Sequence, residues 1–290
     1  MKSKRYLLLS LKWVITLAAL WYVVSKVPFG ELWQLVKGCQ PGWLVAALCL
    51  FLLSKLGSAY RLNYFFSASG IFLHTGENIK LYWLGMFYNQ FLPGGIGGDA
   101  YKAFWIGKEL GQSTTLAAKV ILWDRLSGLV ALLVLLGCMV AGLYPSWGFF
   151  VAIPLGIFAY VLYFHVPTRW KVLPNAGKTV ELFSWWVQLC QCACAFCLLR
   201  ALHLEASYLP YLAAFLFSSM VSVVPLTVGG IGAREMAFLV ASNWWGLHQE
   251  IAVGLGFLFY AVTMVSSLGG AVYALSPSSS IRFKDPSPLL

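Results

Sequence analysis

The chain has 290 residues, 60% of them hydrophobic and only 10% charged, with a mean hydropathy of +0.77. A soluble domain carries about a quarter charged residues, so this composition excludes a water-soluble globule and makes lipid the solvent. The net charge of +10 would suggest nucleic acid in a soluble protein. Here the cations sit mainly in short connections and at segment ends, with no contiguous basic face, where they meet anionic headgroups instead.

In chain order, Met1-Lys-Ser-Lys-Arg5 opens a run that stays apolar to Val24. No small-x-small cleavage pattern follows it, so it reads as an uncleaved first helix near 6–25. A crossing needs about 20 apolar residues, and further candidates fall at 42–66, 77–92, 114–143, 147–165, 182–203, 207–227 and 249–275. The expectation is an all-α membrane protein, a polytopic bundle of about eight transmembrane helices. It forms a single integral domain over 1–275, followed by a Ser- and Pro-rich disordered tail over 276–290. Lys2, Lys4 and Arg5 favour a cytoplasmic N-terminus, and an even number of crossings returns Arg282 and Lys284 to that side. Arg169, Lys171 and Lys178, in the longest polar connection, fall on the opposite side in this scheme.

Two glycine-rich segments are neither simple crossings nor simple loops. The first runs Asn89-Gln-Phe-Leu-Pro93-Gly94-Gly95-Ile-Gly97-Gly98-Asp99-Ala-Tyr-Lys102, and the second Val224-Pro225-Leu-Thr-Val-Gly229-Gly230-Ile-Gly232-Ala-Arg234-Glu235. Each follows an apolar segment, and each carries proline, then Gly-Gly-Ile-Gly, then charge, then an amphipathic stretch. The match suggests an internal duplication, as in transporters whose broken helices meet at a repeat interface. With eight crossings the copies run parallel; one crossing more or fewer inverts them. Pro93 and Pro225 end the preceding helix, and the glycines allow a backbone that a ligand can approach closely. Two broken or re-entrant elements, each opening a new helix N-terminus, would offer free N–H groups to an anion, with Lys102 and Arg234 beside them. Ordinary surface turns would also use Gly-Gly pairs. Neither segment has nucleotide-loop spacing.

Charge inside apolar runs is the second signal. Asp124 and Arg125 lie within Lys119-Val-Ile-Leu-Trp-Asp-Arg-Leu-Ser-Gly128, and at membrane depth such residues face a bundle interior or a cavity. Neighbours on a helix point about 100° apart, so each needs another partner: Asp99, Glu235 or a ligand anion for Arg125, and Arg234 or Lys119 for Asp124. A structural pair fixing helix packing is the alternative. Arg61, deep in its segment, is a weaker site candidate, and Arg200 reads as snorkelling to the surface. Cys190, Cys192, Cys194 and Cys197 crowd one apolar segment and read as packing, since no histidine or second cysteine pair completes a metal site. No cofactor motif, nucleophile elbow or catalytic constellation emerges.

Gln90-Phe-Leu-Pro-Gly-Gly-Ile-Gly-Gly-Asp99, Asp124-Arg125-x-x-Gly128-Leu129 and Pro225…Gly229-Gly-Ile-Gly-x-Arg234-Glu235 together resemble the lysylphosphatidylglycerol synthase transmembrane-region family, also called flippase-like. The resemblance covers nearly the whole chain. It implies a helical bundle that moves or holds a lipid with a polar head. In bifunctional members this region translocates aminoacylated phosphatidylglycerol made by a cytosolic synthase domain. Only about fifteen residues follow the last apolar segment, too few for such a domain, so the expectation is no enzymatic activity. Relatives accompany glycosyltransferases and hopanoid pathways, which implies an aminoacyl-phosphatidylglycerol-like phospholipid or a polyprenyl-phosphate-linked lipid as ligand. It also implies a lipid-modifying enzyme or glycosyltransferase as partner. The expected protein is a lipid flippase of a bacterial plasma (inner) membrane. Its headgroup ligands are Arg125, Arg234, Lys102, Arg61, Asn89 and the glycines at 94, 95, 97, 98, 229, 230 and 232, while Asp99, Asp124 and Glu235 serve coupling or structure. A secondary transporter of a small solute and a non-transporting scaffold are the rivals.

Overall fold

The computed structural model describes residues 33–34, 37–91, 97–170, 177–223 and 232–275. All regular structure among them is helical. The helices are α1 (Pro41–Ala68), α2 (Thr75–Phe91), α3 (Gly97–Glu109), α4 (Thr114–Leu143), α5 (Gly148–Trp170), α6 (Gly177–Ala201), α7 (Tyr208–Val223), α8 (Ala233–Trp245), α9 (Gln249–Leu268) and the short α10 (Ala271–Leu275). The expected crossings from 42–66 onward coincide with α1, α2, α4, α5, α6, α7 and α9 with α10. The segment at 6–25 and the tail at 276–290 lie outside the described residues. Among the described residues, four stretches are long and apolar enough to cross a bilayer: Pro41–Ala68, Thr114–Leu143, Thr179–Ala201 and Gln249–Ala274. The chain is therefore an integral, polytopic helical membrane protein.

Local chemistry sets the boundaries. Pro41 stands at the start of α1, where its missing N–H costs nothing. Ser113 caps α4, its hydroxyl accepting from Leu116 N at 3.3 Å. Gly246, at φ +61°, closes α8 in the left-handed conformation that glycine adopts freely.

The amphipathic stretches after the two glycine segments are helices in their own right, α3 and α8, each of 13 residues. Each packs against the helix that precedes it, α3 on α2 and α8 on α7, and each is followed by a long helix, α4 or α9. The order of helix, glycine segment, 13-residue helix and long helix thus occurs twice, as a duplication requires.

In the bundle, α1 lies along α6 and α4 along α5, while α9 reaches α1, α2 and α6. Apolar side chains fill two cores. One centres on Phe51, Leu198, Phe215 and Phe238, the other on Leu62, Phe65, Phe66 and Ile106. Phe150, Ile153, Ile157 and Phe158 of α5 point outward, as suits a helix that meets lipid.

Helices in lipid gain little from hydrophobic association and depend on close approach through small residues. Gly98 shows this: a Cβ there would run into the Gly85 carbonyl of α2. Gly98→Ala must push α3 off α2, an overpacking that costs about 1–3 kcal/mol. Gly42, with open space around its Cα, is the control. Thermal unfolding of the purified protein in detergent is expected to drop for Gly98→Ala and to stay at the wild-type value for Gly42→Ala.

Candidate functional site

Most of the charged residues singled out in the sequence converge on one cavity of about 330 Å³. Every helix from α1 to α4 and from α6 to α9 contributes to its wall. α1 gives Phe51, Lys55, Ser58 and Arg61; α2 gives Tyr82, Asn89 and Gln90; α3 gives Asp99 and Lys102. α4 adds Asp124, Arg125 and Gly128, and α6 adds Gln188 and Gln191. Ser219 and Ser222 of α7, Arg234 of α8, and Phe259 and Thr263 of α9 close the far side.

Arg61 is not a snorkelling residue. It is 4% exposed, and each guanidinium nitrogen is engaged. Nε donates to Asp124 Oδ1 at 2.8 Å, Nη2 to the Asp124 carbonyl at 3.0 Å, and Nη1 to Ser184 Oγ at 3.1 Å. This corrects the expected partner of Asp124, which is neither Arg234 nor Lys119. Lys119 lies five residues, about 500°, before Asp124 on the same helix, and it is exposed. The Asp-Arg-x-x-Gly spacing acquires a reason here. Gly128 lies one turn beyond Asp124 on the same face, and a Cβ there would come within 3.1 Å of Arg61 Nη1. The glycine leaves a seat for the guanidinium, and Gln188 Nε2 donates to its carbonyl at 3.0 Å.

A second ionic group lies across the cavity. Arg125 pairs with Asp99, one of the partners expected for it, and Lys102 Nζ donates to the same carboxylate at 3.2 Å. Asn89 holds the start of α3: its Oδ1 accepts from Gly98 N at 2.8 Å, and its Nδ2 donates to Asp99 Oδ1 at 3.3 Å. Asn89 therefore fixes the carboxylate and the helix end. Glu235 does the matching work on α8, its Oε2 accepting from Gly232 N at 2.7 Å. Its carboxylate is committed to its own helix terminus and does not line the cavity, which is the structural one of the two roles expected for it. Gly232 itself has φ +83°, a conformation that disfavours a side chain. Gly97 and Gly98 belong to the first turn of α3, and Gly98 serves helix packing. Pro93, Gly94, Gly95, Pro225, Gly229 and Gly230 lie outside the described residues.

Among the described residues, two cations of the wall have no carboxylate partner. Lys55 Nζ sits over the Phe51 ring at 4.6 Å, and the Arg234 guanidinium over the Phe259 ring at 4.7 Å. The two rings meet edge to face, 5.4 Å between centroids, so one aromatic pair holds both cations. Arg234 Nη1, Gln90 Nε2 and Ser219 Oγ are buried without a hydrogen-bond partner, and all three residues line the cavity. Counted in ordinary charge states among the described residues, the wall carries five cations, Lys55, Arg61, Lys102, Arg125 and Arg234, against two carboxylates, Asp99 and Asp124. The surplus is three positive charges.

Lys55 was missed in the sequence, although it lies within the apolar run 42–66 and the cost of charge at membrane depth marks it as strongly as Asp124. Gln90, Gln188, Gln191 and Ser219 carry no comparable signal. Among the described residues no group of three or more metal-ligating side chains occurs. Cys190, Cys192, Cys194 and Cys197 are buried in the packed face of α6.

Asp124→Leu strands a buried guanidinium, and breaking such a pair costs about 3–5 kcal/mol. Arg61→Met with Asp124→Leu removes both charges. Equilibrium unfolding in mixed detergent micelles is expected to show a large loss for the single variant and recovery of most of it in the double variant.

Residues 9–270 match the family model described as Lysylphosphatidylglycerol synthase TM region. No curated protein matches the chain. The matched span takes in every helix of the cavity wall, and the chain belongs to the lysylphosphatidylglycerol synthase transmembrane-region family.

Proposed function

We propose that this membrane protein binds and helps to translocate a lipid with an anionic head, making and breaking no covalent bond. The observation that carries the reading is the surplus of three positive charges, among the described residues, around a polar cavity in an apolar bundle. Charge at membrane depth is costly and points to a ligand or pathway. A phosphate entering between Lys55 and Arg234 would supply the missing counter-charge, and Lys102 and Arg125 would share in holding it. Arg61 is assigned to the scaffold. The volume, about 330 Å³, suits a headgroup whose acyl or prenyl tails remain in the bilayer.

The described ends of both glycine segments lie close in sequence to residues of this wall. Asp99 follows Gly97 by two residues, Arg234 follows Gly232 by two, and both line the cavity. From their proline and Gly-Gly-Ile-Gly sequence alone, we assign the two segments as the breaks through which a headgroup passes. Orientation with both termini in the cytoplasm of a bacterial plasma membrane completes the proposal, together with ion or lipid gradients as the energy source.

The test is reconstitution into liposomes carrying headgroup-labelled acidic lipid, with label accessibility to an impermeant quencher followed over time. Wild-type protein is expected to accelerate exchange between leaflets. Arg234→Gln is expected to slow it about tenfold or more, the size of one lost close charge contact. No acceleration for any acidic phospholipid or polyprenyl phosphate would sink the flippase reading and leave the scaffold alternative.

A further inference from the structure

The charge ledger of the cavity narrows the headgroup further, on the assumption that the lipid-binding reading holds. Both carboxylates in the wall are already engaged, Asp124 by Arg61 and Asp99 by Lys102 and Arg125 together. None of the other described carboxylates lines the cavity. The stretches of chain just before α3 and α8, residues 92–96 and 224–231, contain no ionisable side chain. A lysyl-phosphatidylglycerol head carries two ammonium groups against one phosphodiester charge. Its ammonium groups would find no free acceptor carboxylate here and would face Lys55 and Arg234.

We infer that the site is built for a lipid ending in a phosphomonoester or diphosphate and that it discriminates against the aminoacylated headgroup of the family name. A phosphomonoester carries about −1.5 to −2 charges near neutral pH and three strong acceptor oxygens. That matches two cations side by side, with a third half-satisfied at Asp99. A simple phosphodiester brings one charge and leaves the surplus largely standing. The geometry agrees: the aromatic pair of Phe51 and Phe259 carries Lys55 and Arg234 on adjoining rings, and the buried Arg234 Nη1 has no hydrogen-bond acceptor among the described residues. Cation–π contact steadies a cation without neutralising it, so both remain available to one phosphate.

The experiment compares phosphatidic acid, phosphatidylglycerol and lysyl-phosphatidylglycerol with identical acyl chains, titrated into purified full-length protein in neutral detergent. Bound lipid is counted by native mass spectrometry, with inorganic phosphate as a separate competitor. The expected order is phosphatidic acid first, phosphatidylglycerol about tenfold weaker, and lysyl-phosphatidylglycerol weaker still, the step set by one close charge contact. Lys55→Met should collapse the gap between the first two. Gln191→Glu, which places a carboxylate in the wall, should raise lysyl-phosphatidylglycerol binding towards the others. A melting temperature within a degree or so of wild type, about the resolution of the method, certifies each variant as folded. Lysyl-phosphatidylglycerol binding as tightly as phosphatidic acid overturns the headgroup assignment and leaves the lipid-binding reading intact. Binding of none of the three overturns both, and occupancy by inorganic phosphate alone reassigns the site to a soluble anion.

Discussion

Arg61 carries a full charge at 4% exposure in a bundle whose surroundings are hydrocarbon, so its counter-charge and its acceptors must come from the protein. They come from Asp124 on α4 and Ser184 on α6. The arginine is thus a three-way clamp joining α1, α4 and α6. An uncompensated buried charge costs several kcal/mol, a penalty that holds these three helices to one register. The cavity exists because the clamp fixes its wall: Gly128 and Gln188, which seat and brace the guanidinium, also line the space beside it.

Against that rigid group stand the cations left open. The carboxylate of Asp99 serves two of them, while Lys55 and Arg234 rest only on aromatic rings. The wall therefore divides by function. Arg61 and Asp124 hold the fold, Asp99 with Asn89 orders the start of α3, and Lys55 and Arg234 wait on a ligand. The lone glutamine, serine and arginine donors around them extend the same division to neutral groups.

The membrane class was readable from composition, and most described helices followed from the lengths of apolar runs. The pairing was harder to read. Asp124 and Arg125 stood out because charge is rare in such runs, but helix periodicity fixes only directions around one axis. Which neighbouring helix brings the partner depends on the packing of α1 against α4 and α6. Arg61 was consequently undervalued and Lys55 overlooked, since a cation in an apolar segment reads equally well as a snorkelling side chain. Glu235 stayed open between coupling and structure for another reason: a glutamate three residues after a glycine at a helix start is as good a cap as a coupling group, and the sequence does not say which. Gly85 shows its role only beside Gly98, a contact between helices that no local pattern encodes.

The account stands on a phosphate held between Lys55 and Arg234. Cryo-electron microscopy of the protein in nanodiscs doped with phosphatidic acid tests it most directly. The predicted result is headgroup density inside the cavity, with phosphate oxygens about 3 Å from both cations and tails leading out to the bilayer. Lipid density confined to the outer belt, with Lys55 and Arg234 turned away from the cavity, would contradict it.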